Sequence, residues 1–325
     1  MSTEEIDNDR FSRLFFPYAY RKISELKNSG GRFVYYTTAD VATSILKNQQ
    51  IWLRNATVMN DFMEIQYGFE CLAAAYRGDP GRFLKAVLES YFPGISKEVE
   101  EYFNSWLPVI RSETYLTCVS EHHSDEDQNG RLSMWRAYGG STGVALVMNG
   151  AVMFSTSDVL HAYSSPVYYA SQAEFAEEFM KVAEGIKAES DYIMQLGREN
   201  VKNTVFNMLR FAVLCTKHPG FHEELEWRVF ASPIMQPSAR LSTVVEVVRG
   251  VPQMVVKIKL ENAPSEGLIG LSLPELLDRI IIGPCEFPAV IFRAFLQLLK
   301  EMEVPDAKKK IIISDIPLRQ HLLWN

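Results

Sequence analysis

The chain has 325 residues, 47% of them hydrophobic and 22% charged, ordinary values for a soluble globular protein with a large core in one elaborated domain or two intimate ones. Its 33 basic and 40 acidic residues leave a formal charge of −7, which argues against non-specific affinity for nucleic acid or an anionic membrane. No apolar run approaches the roughly 20 residues a membrane-spanning helix needs, so no membrane partner is expected.

The acidic start Met1-Ser2-Thr3-Glu4-Glu5 lacks the basic and then apolar order of a secretion signal. Cys71, Cys118, Cys215 and Cys285 are widely scattered, without a CxxC or zinc spacing. The first three sit in apolar runs and read as buried thiols; Cys285 follows Gly-Pro and reads as a turn residue. Without a disulfide framework, a reducing cytoplasm is the expected location.

In chain order, Phe15 to Leu26 has helical apolar spacing despite Pro17, and Gly30-Gly31 ends it. Arg32 to Thr37 reads as a strand, Asp40 caps a short helix through Leu46, and Ile51-Trp52-Leu53 is a second brief strand. From Asp61 to about Trp106 the pattern is helical, and Gly78-Asp79-Pro80-Gly81 and Pro93-Gly94 cut it into three helices. Tyr115 to Val119 is a strand, Ser124 to Gly130 a polar loop, Ser133 to Tyr138 a short helical piece, and Gly143 to Met148 a strand after the turn at Gly139-Gly140. Ala170 to Lys187 and Ser190 to Cys215 read as two long amphipathic helices. Strands follow at Glu226 to Ala231, Met254 to Leu260, Arg279 to Ile282 and Lys310 to Ser314, with a helix at Phe287 to Met302. Runs of helices inserted between strands predict an α+β fold. The organisation expected is a helical lead over 1–30 and one domain over 31–325, with helical insertions at about 61–110 and 170–215.

Three blocks carry polar and aromatic side chains. In Val34-Tyr35-Tyr36-Thr37-Thr38 a strand puts Tyr35 and Thr37 on one face, an aromatic plane beside a hydroxyl; plain β-propensity explains the same residues. In the second block Ser120 ends a strand, and Trp135 and Tyr138 stand three apart on a helical turn, where they form one aromatic wall or pack the core. Arg136 suits a phosphate, although a solvated arginine fits its position better. The third block, His222 to Phe230, sets Glu224 and Glu226 two apart, and on a strand both project from one face. Lys217 lies just upstream with positive charge. A salt-bridged edge strand accounts for the pair; in a cleft, one glutamate would stabilise a ribosyl cation and the other would orient a nucleophile. The adjacent His122-His123 reads as a solvated loop pair.

Tyr-Tyr-Thr…Ser-Ile-Leu…Trp-Leu…Met-Asn-Asp…Glu, then Ser-Glu…Met-Trp…Tyr-Gly…Gly-Val, then Lys…Glu-x-Glu-Trp-Arg, together resemble the prokaryotic family of domain of unknown function 2971, from about Val34 to Ser314. That family has been likened to ADP-ribosyltransferases, so the resemblance implies a mixed or antiparallel split sheet, NAD as substrate, no metal, and a role in phage defence or as a toxin. It implies Glu226 as the catalytic glutamate and Glu224 as the acceptor-orienting partner. Tyr35 takes the first-strand position with Thr37 beside it, and Ser120 or Tyr138 the second. Tyr35 departs from the histidine expected there, since a phenol cannot reproduce an imidazole's two nitrogens. The implied partners are a nucleotide and a protein or nucleic-acid acceptor; neither acceptor nor oligomeric state is read from the chain. Two other readings stand beside this one: a non-catalytic nucleotide sensor, and a metal-dependent nuclease using Asp61, Glu64, Glu224 and Glu226.

Overall fold

β-branched and aromatic runs account for most of the strands in the computed structural model, which describes residues 7–59, 62–155 and 157–317, the side chains of 62–64 excepted. The strands are β1 (Arg32–Thr38), β2 (Gln50–Asn55), β3 (Tyr115–His122), β4 (Gly143–Asn149), β5 (Ala162–Pro166), β6 (Tyr168–Tyr169), β7 (Thr216–Lys217), β8 (Glu226–Ala231), β9 (Leu241–Val248), β10 (Val251–Lys259), β11 (Leu277–Ile282) and β12 (Ile311–Ile313). Ten of them form one open sheet in the order β12-β11-β4-β1-β3-β2-β10-β9, with β8 paired to β3 and β5 to β8; β6 and β7 form a separate parallel pair. Every pair in the large sheet is antiparallel except β11 with β12. The fold is thus mixed α/β with a mostly antiparallel sheet.

One irregularity shapes the molecule. Strand β1 pairs with the end of β3 (Arg32↔His122 to Val34↔Ser120), whereas β2 pairs with its beginning (Arg54↔Leu116, Asn55↔Tyr115). Between them, Thr117 to Val119 has no ladder partner on that side among the described residues. The far half of β1 and strand β2 therefore diverge, and a gap opens in the sheet.

Cross-strand partners point to the same face, so the register sorts the side chains. One face carries Val34, Tyr36, Cys118, Ser120, Glu226 and Arg228; the other carries Phe33, Tyr35, Val119, Thr117, Trp227 and Val229. The helices Phe62–Arg77, Asp79–Tyr91, Ile95–Ser112, Gln172–Ala188, Ser190–Leu196 and Arg198–Leu214 build a core with Leu116 and Phe230 on the first face. A smaller cluster of Val34, Tyr36, Met134, Trp135, Ala145 and Ile281 covers another part of it. The helices Ala39–Asn48 and Pro288–Glu301 cover the second face, against Phe33, Leu146, Trp227 and Ile280.

Several expectations are corrected. The helix expected over Phe15 to Leu26 runs Pro17–Ser29, and a separate helix, Asn8–Phe15, precedes it; the two stay apart because Pro17 lacks the N–H that would continue the ladder. The long helix expected over Ser190 to Cys215 is broken at Gly197, whose φ of 78° leaves the helical region. Strands β5, β6, β7 and β9 were not expected. Cys71 and Cys215 are buried, but Cys118 is only half-buried; none of the four forms a disulfide.

Candidate functional site

The gap in the sheet opens, on the Glu226 face, into a cleft of about 670 Å3. Tyr35, Thr37, Ser120, Tyr138, Glu224 and Glu226 all line it, with Arg54 and Arg249 at its side. Residues from all three sequence blocks therefore share one space. They do not share one sheet face, however. The register sets Ser120 beside Glu226 and Val34, while Tyr35 and Thr37 project to the opposite face and reach the cleft at the gap. The first-strand aromatic on the glutamate's own face is Tyr36, which sequence reasoning passed over. Its hydroxyl accepts from the Arg131 N–H at 2.8 Å, and its ring meets Trp135 edge-on. Strand alternation was the signal that distinguished the two tyrosines.

Glu226 opens β8 and is almost fully buried. One carboxylate oxygen accepts from Arg228 Nε at 2.7 Å, the other from Lys217 Nζ at 3.0 Å. Burial alone raises a carboxyl pKa, but the Arg228 and Lys217 cations outweigh it and hold Glu226 at about 2. Lys217 itself is fully buried, with Nζ also 2.6 Å from Glu224. It lies over the Phe221 ring at 4.6 Å, and β7 carries it beside β6. Arg228 donates in addition to the Leu214 carbonyl at 2.6 Å. The backbone N–H of Glu226 donates to the Tyr169 hydroxyl at 2.7 Å, and burial raises that phenol well beyond its ordinary pKa.

Glu224 is not on the strand. It ends the 3-10 turn Pro219–Glu224, and Leu225 takes a left-handed φ of 46° before β8 begins. The two glutamates meet through their shared contact with Lys217 rather than through strand alternation. Glu224 is the more exposed, and Tyr138 donates to it across the cleft at 3.4 Å, so the second and third blocks touch directly.

Trp135 does not form a wall with Tyr138. It begins a π-helical turn, Trp135–Gly139, and is buried, with Nε1 donating to the Asn129 carbonyl at 2.7 Å. A Cβ at Gly283 would come within 2.8 Å of the indole and one at Gly130 within 2.7 Å, so the ring occupies a slot that only glycine leaves open. Arg136 is exposed and does not line the cleft.

His122 is likewise corrected: its side chain is fully buried, and Nε2 lies 2.9 Å from Asp127. Burial, the largest influence, lowers its pKa. Asp127 also binds Arg32 and Arg279 at 2.9 Å each, tying β1 and β11 to the end of β3. For the nuclease reading, Asp61 and the Glu64 side chain lie outside the described residues, while Glu224 and Glu226 share Lys217 as their cation.

The family model described as protein of unknown function (DUF2971) matches residues 134–229, the segment that carries Trp135, Arg136, Tyr138, Lys217, Glu224 and Glu226. Over this segment the chain carries that family's pattern; the first-strand block lies outside the match. No curated protein and no solved structure gives a significant match. Among the described residues, no helix is long and apolar enough to cross a membrane.

Proposed function

We propose that the cleft binds NAD and cleaves its nicotinamide–ribose bond, as an ADP-ribosyltransferase-like enzyme. The observation that carries this reading is the convergence of Tyr35, Thr37, Ser120, Tyr138, Glu224 and Glu226 on one cleft, of a size within the roughly 300–1,000 Å3 of small-molecule sites. The gap in the sheet between β1 and β2 supports a split-sheet core of that kind.

In this reading the C1′–N bond breaks and its electron pair goes to nicotinamide, neutralising the pyridinium. Positive charge then develops on the ribosyl carbon, where the carboxylates of Glu224 and Glu226 stabilise it. The acceptor bonds to C1′ and gives up its proton, for which the more exposed Glu224 is the nearer base. Arg54 and Arg249 would face the diphosphate.

A nicotinamide-release assay tests this with two variants. Glu224→Gln is expected to lower the rate by roughly 10²-fold or more, and Tyr138→Phe, which removes the hydroxyl on Glu224, by a smaller factor. Wild-type turnover in Glu224→Gln would sink the proposal. One observation favours a non-catalytic nucleotide sensor instead: Glu226 already has Arg228 on one oxygen and Lys217 on the other. That reading is preferred if NAD binds calorimetrically and no nicotinamide is released.

A further inference from the structure

On the sheet face opposite Glu226 lies a second space, of about 830 Å3. Leu146, Met148, Val229 and Ile258 form its floor, Ala19 and Ile23 of the helix Pro17–Ser29 its roof, and Phe154 and Leu160 a side wall. Protein interiors are close-packed and leave few voids larger than a water molecule, and a largely aliphatic chamber of this size matches the dimensions and lining of a ligand site.

The chamber and the cleft meet. Tyr35, Ile45, Ile51, Thr117 and Val119 border both, and these residues stand around the gap in the sheet. Tyr35 is the aromatic residue among these five and borders both spaces, so its ring stands at the opening as a partition. At the outer mouth the charges are of both signs: Lys27, whose ammonium is 5.9 Å from the Phe154 ring centroid, and Asp9 and Asp158. A mouth of mixed sign suits a head group that carries both charges, and a floor that is mostly aliphatic, interrupted by the Thr117 and Ser164 hydroxyls beside Val229, suits a hydrocarbon chain.

We propose that the chamber binds a single-chain zwitterionic amphiphile. Its chain lies along the aliphatic floor with its end against Tyr35, and its head sits at the mouth among Lys27, Asp9 and Asp158. This inference goes beyond nucleotide cleavage in the cleft, and either holds without the other.

The test is titration of the full chain, below the micelle concentration, with monoacyl phosphocholines of increasing chain length. Burial of each methylene is worth about 0.8 kcal/mol, so the Kd is expected to fall about fourfold per added carbon until the chamber is full. Ala19→Trp from the roof and Leu160→Trp from the wall each fill the space and should weaken binding at least tenfold, with circular dichroism unchanged. The proposal is overturned by absence of saturable binding, by affinity independent of chain length, or by two folded tryptophan variants that bind like wild type. Tighter binding of an alkyl carboxylate or alkylammonium of equal length would overturn the head-group assignment.

Discussion

Glu226 has two cations on its two oxygens in a site almost closed to water, and this fixes what its charge does for the fold. Its carboxyl is held at about 2 against an ordinary 4.5, and at about 1.4 kcal/mol per pH unit that gap corresponds to roughly 3 kcal/mol of stability. The folded pKa is depressed, so this stability is fully present above pH 4.5 and is lost as the pH falls toward 2. Removing one partner of a buried ion pair costs about 3–5 kcal/mol, so Glu226→Gln should lower unfolding stability at pH 7 by that order. The variant's deficit should shrink on acidification, by about 2 kcal/mol between pH 7 and pH 3, with the rest lost only as the pH falls through 2. Urea denaturation of both proteins at pH 7, 4.5 and 3 checks this; a deficit constant across the series would show that the charge contributes nothing. The sequence displays the acidic pair and Lys217 nearby, but not that Arg228 turns back onto Glu226 two residues away. A residue and its second neighbour on a strand are equally consistent with contact and with separate solvation.

At the scale of elements, the same local logic succeeded and failed by identifiable causes. Strand β8 begins at Glu226 as expected, yet Glu224 falls in a 3-10 turn because Leu225 adopts a left-handed conformation. Leucine gives no sign of that conformation in sequence, since it is favoured there by nothing but its surroundings. The hairpin of β9 and β10 was legible and missed. Val248-Arg249-Gly250-Val251 has a two-residue loop with glycine second, and both loop residues have positive φ, 51° and 80°, as the turn matching strand twist requires. Asparagine adopts this conformation more readily than arginine, so Arg249→Asn is expected to raise stability by roughly 0.5 kcal/mol in chemical denaturation. Arg249 also lines the cleft and, after burial, contributes to the depressed pKa of Arg54. On the proposed reading of the cleft, the same substitution should therefore weaken NAD binding about three- to fivefold, the worth of one partly exposed charge. A variant that is less stable, or that binds NAD unchanged, would refute the respective half of this prediction.

For the molecule as a whole, the decisive feature is the place where β1 and β2 part along β3, and no local pattern encodes it. The three blocks are each visible in sequence; that they converge depends on which strands neighbour β3 and where each pairing stops. The consequence is a sheet with a ligand-sized space on either side and one aromatic ring, Tyr35, between them. If both spaces bind as proposed, a chain end pressed against that ring from the chamber would displace it toward the cleft, so occupancy of the two spaces should be antagonistic. A coupling of about 1 kcal/mol, the lower end of typical values, corresponds to roughly fivefold. Saturating amphiphile should then raise the Kd for NAD about fivefold, and thermodynamic reciprocity requires NAD to raise the amphiphile's Kd by the same factor. Tyr35→Ala removes the ring that transmits the displacement, and in that variant both factors should collapse below about twofold while each ligand still binds alone. Paired calorimetric titrations on wild type and variant measure all four constants. Equal coupling in Tyr35→Ala would assign the communication to the backbone of the gap rather than to its partition.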